Sequence, residues 1–82
     1  MAVFDQVRTL IAKELSISED QVKEASNFES DLRADSLTIV ELVMELEDQF
    51  EIVIPEEDLA NIATVGDLVA HIERKIAERG SA

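Results

Sequence analysis

The sequence predicts an all-α domain with three main helices, one short helix and a long loop after the first. Apolar residues recur at three- and four-residue spacing in three separate segments. Strand-like alternation is confined to residues 51–54, too short to build a sheet alone. Apolar residues make up 46% of the 82-residue chain, enough for one modest core and too many for a disordered chain. There is no internal repeat, low-complexity segment or linker, so residues 1–82 are expected to form a single domain.

Val3, Phe4, Val7, Leu10, Ile11 and Leu15 place a first helix over residues 3–15. Ser18 with Gln21 three positions on resembles a capping box and opens a short turn. Residues 16–35 are otherwise polar and read as a long loop, with Val22, Phe28 and Leu32 as apolar anchors. The clearest helix covers residues 36–50, with Asp35 as its N-cap. Pro55 blocks its continuation, and Ile52 and Ile54 are candidates for burial in the connection. Residues 56–62 suit a short helix. Thr64 with Asp67 resembles a second capping box. The stripe of Val65, Leu68, Val69, Ile72 and Ile76 then predicts a last helix over residues 65–77. Gly80, Ser81 and Ala82 read as a frayed tail.

The net charge is −12, which disfavours nucleic acid and favours proteins with basic patches. Residues 34–73 contain no Lys or Arg. No stretch is apolar enough to span a membrane, and the first ten residues lack a secretory pattern. The chain is expected to be soluble, cytoplasmic and monomeric. With no Cys and one His, no metal site is expected.

On a helical wheel, Ile39, Leu42, Val43, Leu46 and Phe50 share one broad face of the second helix, the natural core side. Leu37, Val40 and Met44 form a second stripe, with Glu41 and Asp48 beside it and Glu47 on its other edge. The wheel leaves two readings open. The stripe either packs beneath the long loop or stays exposed as a greasy centre with a charged rim, built to dock on partners.

Ser36 stands where the loop meets this helix. It could be a capping serine, a nucleophile or a modified serine. A nucleophile needs a base, and the one His, His71, reads as a surface residue on the polar side of the last helix. A phosphate ester on Ser36 would sit at the positive end of a helix.

The run Asp31-Leu32-Arg33-Ala34-Asp35-Ser36-Leu37 resembles the attachment motif of the acyl carrier protein family. The resemblance continues in register through Val40-Glu41-Leu42-Val43-Met44-Glu45-Leu46-Glu47-Asp48-Gln49-Phe50, Ile52-Val53-Ile54-Pro55-Glu56-Glu57-Asp58 and Thr64-Val65-Gly66-Asp67-Leu68-Val69. It implies a four-helix bundle that is a carrier and not an enzyme. It implies that Ser36 bears 4′-phosphopantetheine, taken from coenzyme A by a separate Mg²⁺-dependent phosphopantetheinyl transferase. The arm's thiol then holds acyl groups, so the reactive sulfur belongs to the cofactor. Val43, Leu46, Phe50, Ile54, Leu59, Ile62 and Leu68 match the family's acyl pocket. Asp35, Leu37, Val40, Glu41, Met44, Glu47, Asp48 and Ile54 match its docking surface, which favours an exposed stripe. The partners implied are the transferase, ketosynthases, reductases, a dehydratase and acyltransferases with basic patches.

Three positions depart from the family pattern. Arg33 and Glu51 stand where Gly is common, and Thr38 where an acidic residue is common. Leu59 and Leu68 are bulkier than the Ala frequent there. The acidic second helix resembles the stand-alone carriers of type II fatty acid synthesis more than peptidyl carriers. A carrier of polyketide, aminoacyl or specialised acyl cargo is the nearest alternative. An acidic calcium binder is disfavoured, because no twelve-residue loop has the required ligand spacing. A plain acidic adaptor with an unmodified Ser36 is the remaining rival.

Overall fold

A computed structural model describes residues 2–80. Its elements are α1 (Val3–Leu15), a 3₁₀ turn (Glu19–Gln21), α2 (Ser36–Phe50), α3 (Glu56–Leu59) and α4 (Val65–Gly80). Among the described residues there is no β-strand, only one isolated antiparallel bridge, Asn27 to Thr64. The first two main helices run over the residues their periodicity predicts. The last is three residues longer than expected, so Gly80 ends a helix, while Ser81 and Ala82 lie outside the described residues.

α1 packs against both α2 and α4. Val7 and Ile11 of α1, Leu42 and Leu46 of α2, and Val65, Leu68 and Ile72 of α4 are all at most 2% exposed. Each such side chain contributes about 1.5–3 kcal/mol by leaving water. α1 stops at Ser16, whose left-handed backbone (φ 56°) lets the Ile17 N–H reach the Ala12 carbonyl at 3.0 Å.

The long loop is held by its own anchors and by a second segment. Val22, Phe28 and Leu32 are buried as expected, and Ala34 joins them. The Ser18–Gln21 capping box forms. Ser26 is also buried; its hydroxyl accepts from the Lys23 N–H at 2.9 Å. Backbone bonds then tie the loop to the start of α4. The Phe28 N–H donates to Ala63 O (3.1 Å), the Val65 N–H to Ser26 O (2.9 Å) and the Gly66 N–H to Glu24 O (2.8 Å). A Cβ at position 66 would lie 3.0 Å from that same Glu24 oxygen, which explains a glycine in the first turn of a helix. The loop therefore delivers the start of α2 from a fixed base.

α3 is one turn, shorter than the seven residues expected, because only four residues separate its end from the Thr64–Asp67 cap of the next helix. His71 corrects the sequence reading. It is 8% exposed, with Nδ1 2.9 Å from Arg74 and Nε2 3.2 Å from the Asp58 carboxylate. The Asp58 approach falls outside hydrogen-bond geometry, so the two groups lie side by side between α3 and α4 without a hydrogen bond.

Candidate functional site

Asp35 builds the start of α2. Its backbone is extended, and its carboxylate accepts the Thr38 N–H at 2.8 Å, filling one of the open donors of the first turn. That N–H above all, with the Thr38 hydroxyl and the Leu37 N–H, holds the Asp35 carboxyl below the usual aspartate range. The cap thus carries a full negative charge at neutral pH.

Ser36 is the first residue of α2 and is exposed. Its hydroxyl makes no hydrogen bond among the described residues. The capping work falls to Asp35, so Ser36 is free of the structural duty common for a serine at this place. His71 is not available to it as a base, since its ring is taken up by Arg74 and Asp58.

Ser36 also lies on the wall of a cavity of about 330 Å³. This is at the lower end of the ~300–1,000 Å³ typical of small-molecule pockets. Val43, Leu59, Ile62 and Leu68, four of the residues matched to the family's acyl pocket, line it. Phe28, Ile39, Leu42 and Ala60 line it too, with Glu29 and Glu56 adding carboxylates. The remaining expected pocket residues lie elsewhere. Leu46 is wholly buried between helices, Phe50 is half-buried near the end of α2, and neither reaches the cavity. Ile54 instead lines a neighbouring cavity of about 240 Å³ with Val40, Val43, Met44, Glu47, Glu56 and Leu59. The wheel placed Ile39 and Leu42 on the core face, and a lone Phe in a polar loop was a signal for Phe28. Nothing local marked Ala60.

The second stripe of α2 is exposed: Leu37 is 67%, Val40 44% and Met44 62% accessible. Asp35, Glu41 and Asp48 are exposed beside it. Two residues matched to the docking surface sit differently. Ile54 is only 4% exposed, because residues 51–54 alternate and turn it inward; the surface side chain there is Val53, at 72%. Glu47 is half-buried, and its carboxylate accepts the Ile54 N–H at 2.7 Å. Glu47 therefore pins the connection after α2 as well as bordering the stripe.

Two of the three departures share one backbone feature. Arg33 (φ 55°) and Glu51 (φ 54°) both hold the left-handed conformation. Glycine adopts it without steric cost, which is the physical reason for the family's preference at both sites.

The site is thus a small helical bundle that presents an exposed serine at a helix start, beside an apolar cavity. The phosphopantetheine attachment site family matches residues 5–72. The chain is 51% identical over 73 residues to the acyl carrier protein of Wolinella succinogenes, covering 89% of this chain and 96% of that one. It is 52% identical over 73 residues to the acyl carrier protein of a Sulfurovum species, covering 89% and 97%. A solved acyl carrier protein from Enterococcus faecalis superposes with a TM-score of 0.76 at 40% identity, covering 89% of this chain and 92% of that one. The chain belongs to the acyl carrier protein family. Its members are carriers, not enzymes, and 4′-phosphopantetheine is their cofactor. Among the described residues no helix is long and apolar enough to cross a membrane.

Proposed function

We propose that Ser36 is the attachment residue, and that the chain is a single-domain, monomeric, cytoplasmic carrier of type II fatty acid synthesis. The observation that carries this reading is the exposed, unpartnered Ser36 hydroxyl at the first turn of α2, on the wall of the apolar cavity. When attached, the arm supplies the thiol that bears the acyl cargo. The chain's own residues do the rest. The first-turn N–H groups and the positive end of α2 favour the phosphate of the ester. Val43, Leu59, Ile62 and Leu68, with Phe28, Ile39 and Leu42, shelter apolar cargo from water. Leu37, Val40 and Met44 give enzymes an apolar seat, and Asp35, Glu41 and Asp48 steer their basic patches toward it. The phosphopantetheinyl transferase, ketosynthases, reductases, dehydratase and acyltransferases are the partners proposed for that face.

Incubation with coenzyme A, Mg²⁺ and a broad-specificity phosphopantetheinyl transferase should add the mass of one arm to the wild type and none to Ser36→Ala. An unchanged wild-type mass, or a loaded Ser36→Ala, would refute the assignment.

A further inference from the structure

We propose that Arg33 is a positioning residue for the arm: its guanidinium is the counter-charge for the phosphodiester on Ser36, holding that group over the start of α2. The inference rests on the attachment reading above. Arg33 is the one Lys or Arg in residues 24–73, three positions before Ser36. Three Cα–Cα steps put at most about 11 Å between the two Cα atoms, a span that an arginine side chain and a serine ester cover together.

The surroundings leave this cation free. Leu32 and Ala34 are buried on either side, while Arg33 faces solvent. Asp31 and Asp35 lie two residues away in each direction, yet Arg33 has no ion pair or hydrogen bond from its side chain among the described residues. Both carboxylates are already engaged: Asp31 accepts the Asn27 N–H at 2.8 Å and Asp35 accepts the Thr38 N–H at 2.8 Å. By contrast Arg8 pairs with Asp5 and Glu19, Lys75 with Asp58, and Arg79 holds backbone carbonyls.

Adding an arm to Ser36 changes the balance of charge. A phosphodiester brings a permanent negative charge beside the ionised Asp35 and near Glu29 and Glu56, which share the cavity wall with Ser36. Like charges at such range repel. The helix end offsets part of that, and Arg33 is the only side chain of this region able to offset the rest. A planar guanidinium also matches two phosphate oxygens at once. The residue holds its left-handed backbone (φ 55°) at a cost glycine would not incur.

The test compares unloaded and loaded forms of wild type, Arg33→Gln, Arg33→Lys and Lys23→Gln. Intact mass and peptide mapping first establish one arm on Ser36. Comparing two forms of the same variant cancels the backbone strain. The loaded-minus-unloaded Tm difference should fall by about 2–4 °C in Arg33→Gln at low salt, the scale of an exposed ion pair in a domain of this size. It should return in Arg33→Lys, stay at the wild-type value in Lys23→Gln, and level across variants near ~1 M salt. The ³¹P resonance of the phosphodiester should move in Arg33→Gln alone. Anything short of both changes overturns the proposal. Failure of Arg33→Gln to take the arm also overturns it, since Arg33 would then serve the transferase. A wild type without an arm on Ser36 removes the attachment reading itself, which the mass alone distinguishes.

Discussion

Replacing Glu51 with Gly should stabilise the domain. Glu51 closes α2 in the left-handed conformation (φ 54°, ψ 48°). A side chain there costs about 1–2 kcal/mol relative to glycine. Glycine loses more freedom on folding, which takes back roughly 0.5–1 kcal/mol. The substitution also removes a negative charge from the negative end of α2, a gain of about 0.3–1 kcal/mol at low salt. The bonds that hold this helix end survive, because they involve backbone: Arg79 Nη1 donates to Phe50 O at 2.9 Å and to Glu51 O at 2.6 Å, and the Ile52 N–H donates to Glu47 O at 3.1 Å. The net expectation is about 1 kcal/mol, or roughly 4–8 °C in Tm for a domain of this size. Urea and thermal unfolding of Glu51→Gly, Glu51→Gln and wild type separate the causes. Glu51→Gln should recover only the charge part, a third to a half of the gain. A Glu51→Gly protein no more stable than Glu51→Gln would refute the conformational argument.

Arg79→Ala removes both carbonyl contacts at the end of α2 and should lower stability by about 1 kcal/mol in urea unfolding; an unchanged midpoint would show that these bonds are not held in solution. The neighbouring Glu45 carboxyl pushes the Glu14 carboxyl above the usual range, helped by desolvation and by the charge of Glu41. A raised acid stabilises the fold fully below its unfolded value near 4.5 and loses that contribution as pH rises through its folded value. Glu14→Gln should therefore melt higher than wild type at neutral pH, with the gap closing toward pH 4.5; a gap constant with pH would be inconsistent with this coupling. Asp67 is shifted the other way, held low by the Ala63 and Thr64 N–H groups, so its contribution is present above about 3.8 and lost as pH falls through its lower folded value. Asp67→Asn should accordingly weaken the fold at neutral pH and match wild type in strong acid, as read by circular dichroism. Glu41→Lys should slow association with the transferase, with less penalty at high salt, whereas Met44→Glu should speed dissociation with little salt dependence; stopped-flow binding equal to wild type for both would place docking on another face.

Features set by local chemistry were the ones legible in the sequence. Asp35 bonds a backbone N–H three residues away, so the start of α2 could be read to the residue. The Ser18–Gln21 and Thr64–Asp67 boxes formed for the same reason. Features set by distant partners were not legible. His71 lies on a polar side of α4 by periodicity, yet it is buried because α3 brings Asp58 against it. α4 outruns its apolar stripe, and its last turns carry Arg79 to the carbonyls of α2. The wheel could not choose between a buried and an exposed second stripe, because the loop that might have covered it is instead bonded to residues 63–66. Ser36 itself was visible as a residue but not as a free hydroxyl, which depends on Asp35 taking the capping role.

The most direct test of the central claim is tandem mass spectrometry of the protein recovered from its native cell. The account predicts one phosphopantetheine ester on Ser36, with part of the population bearing fatty acyl groups of graded length on the arm. An unmodified Ser36, or an arm on any other residue, would contradict it.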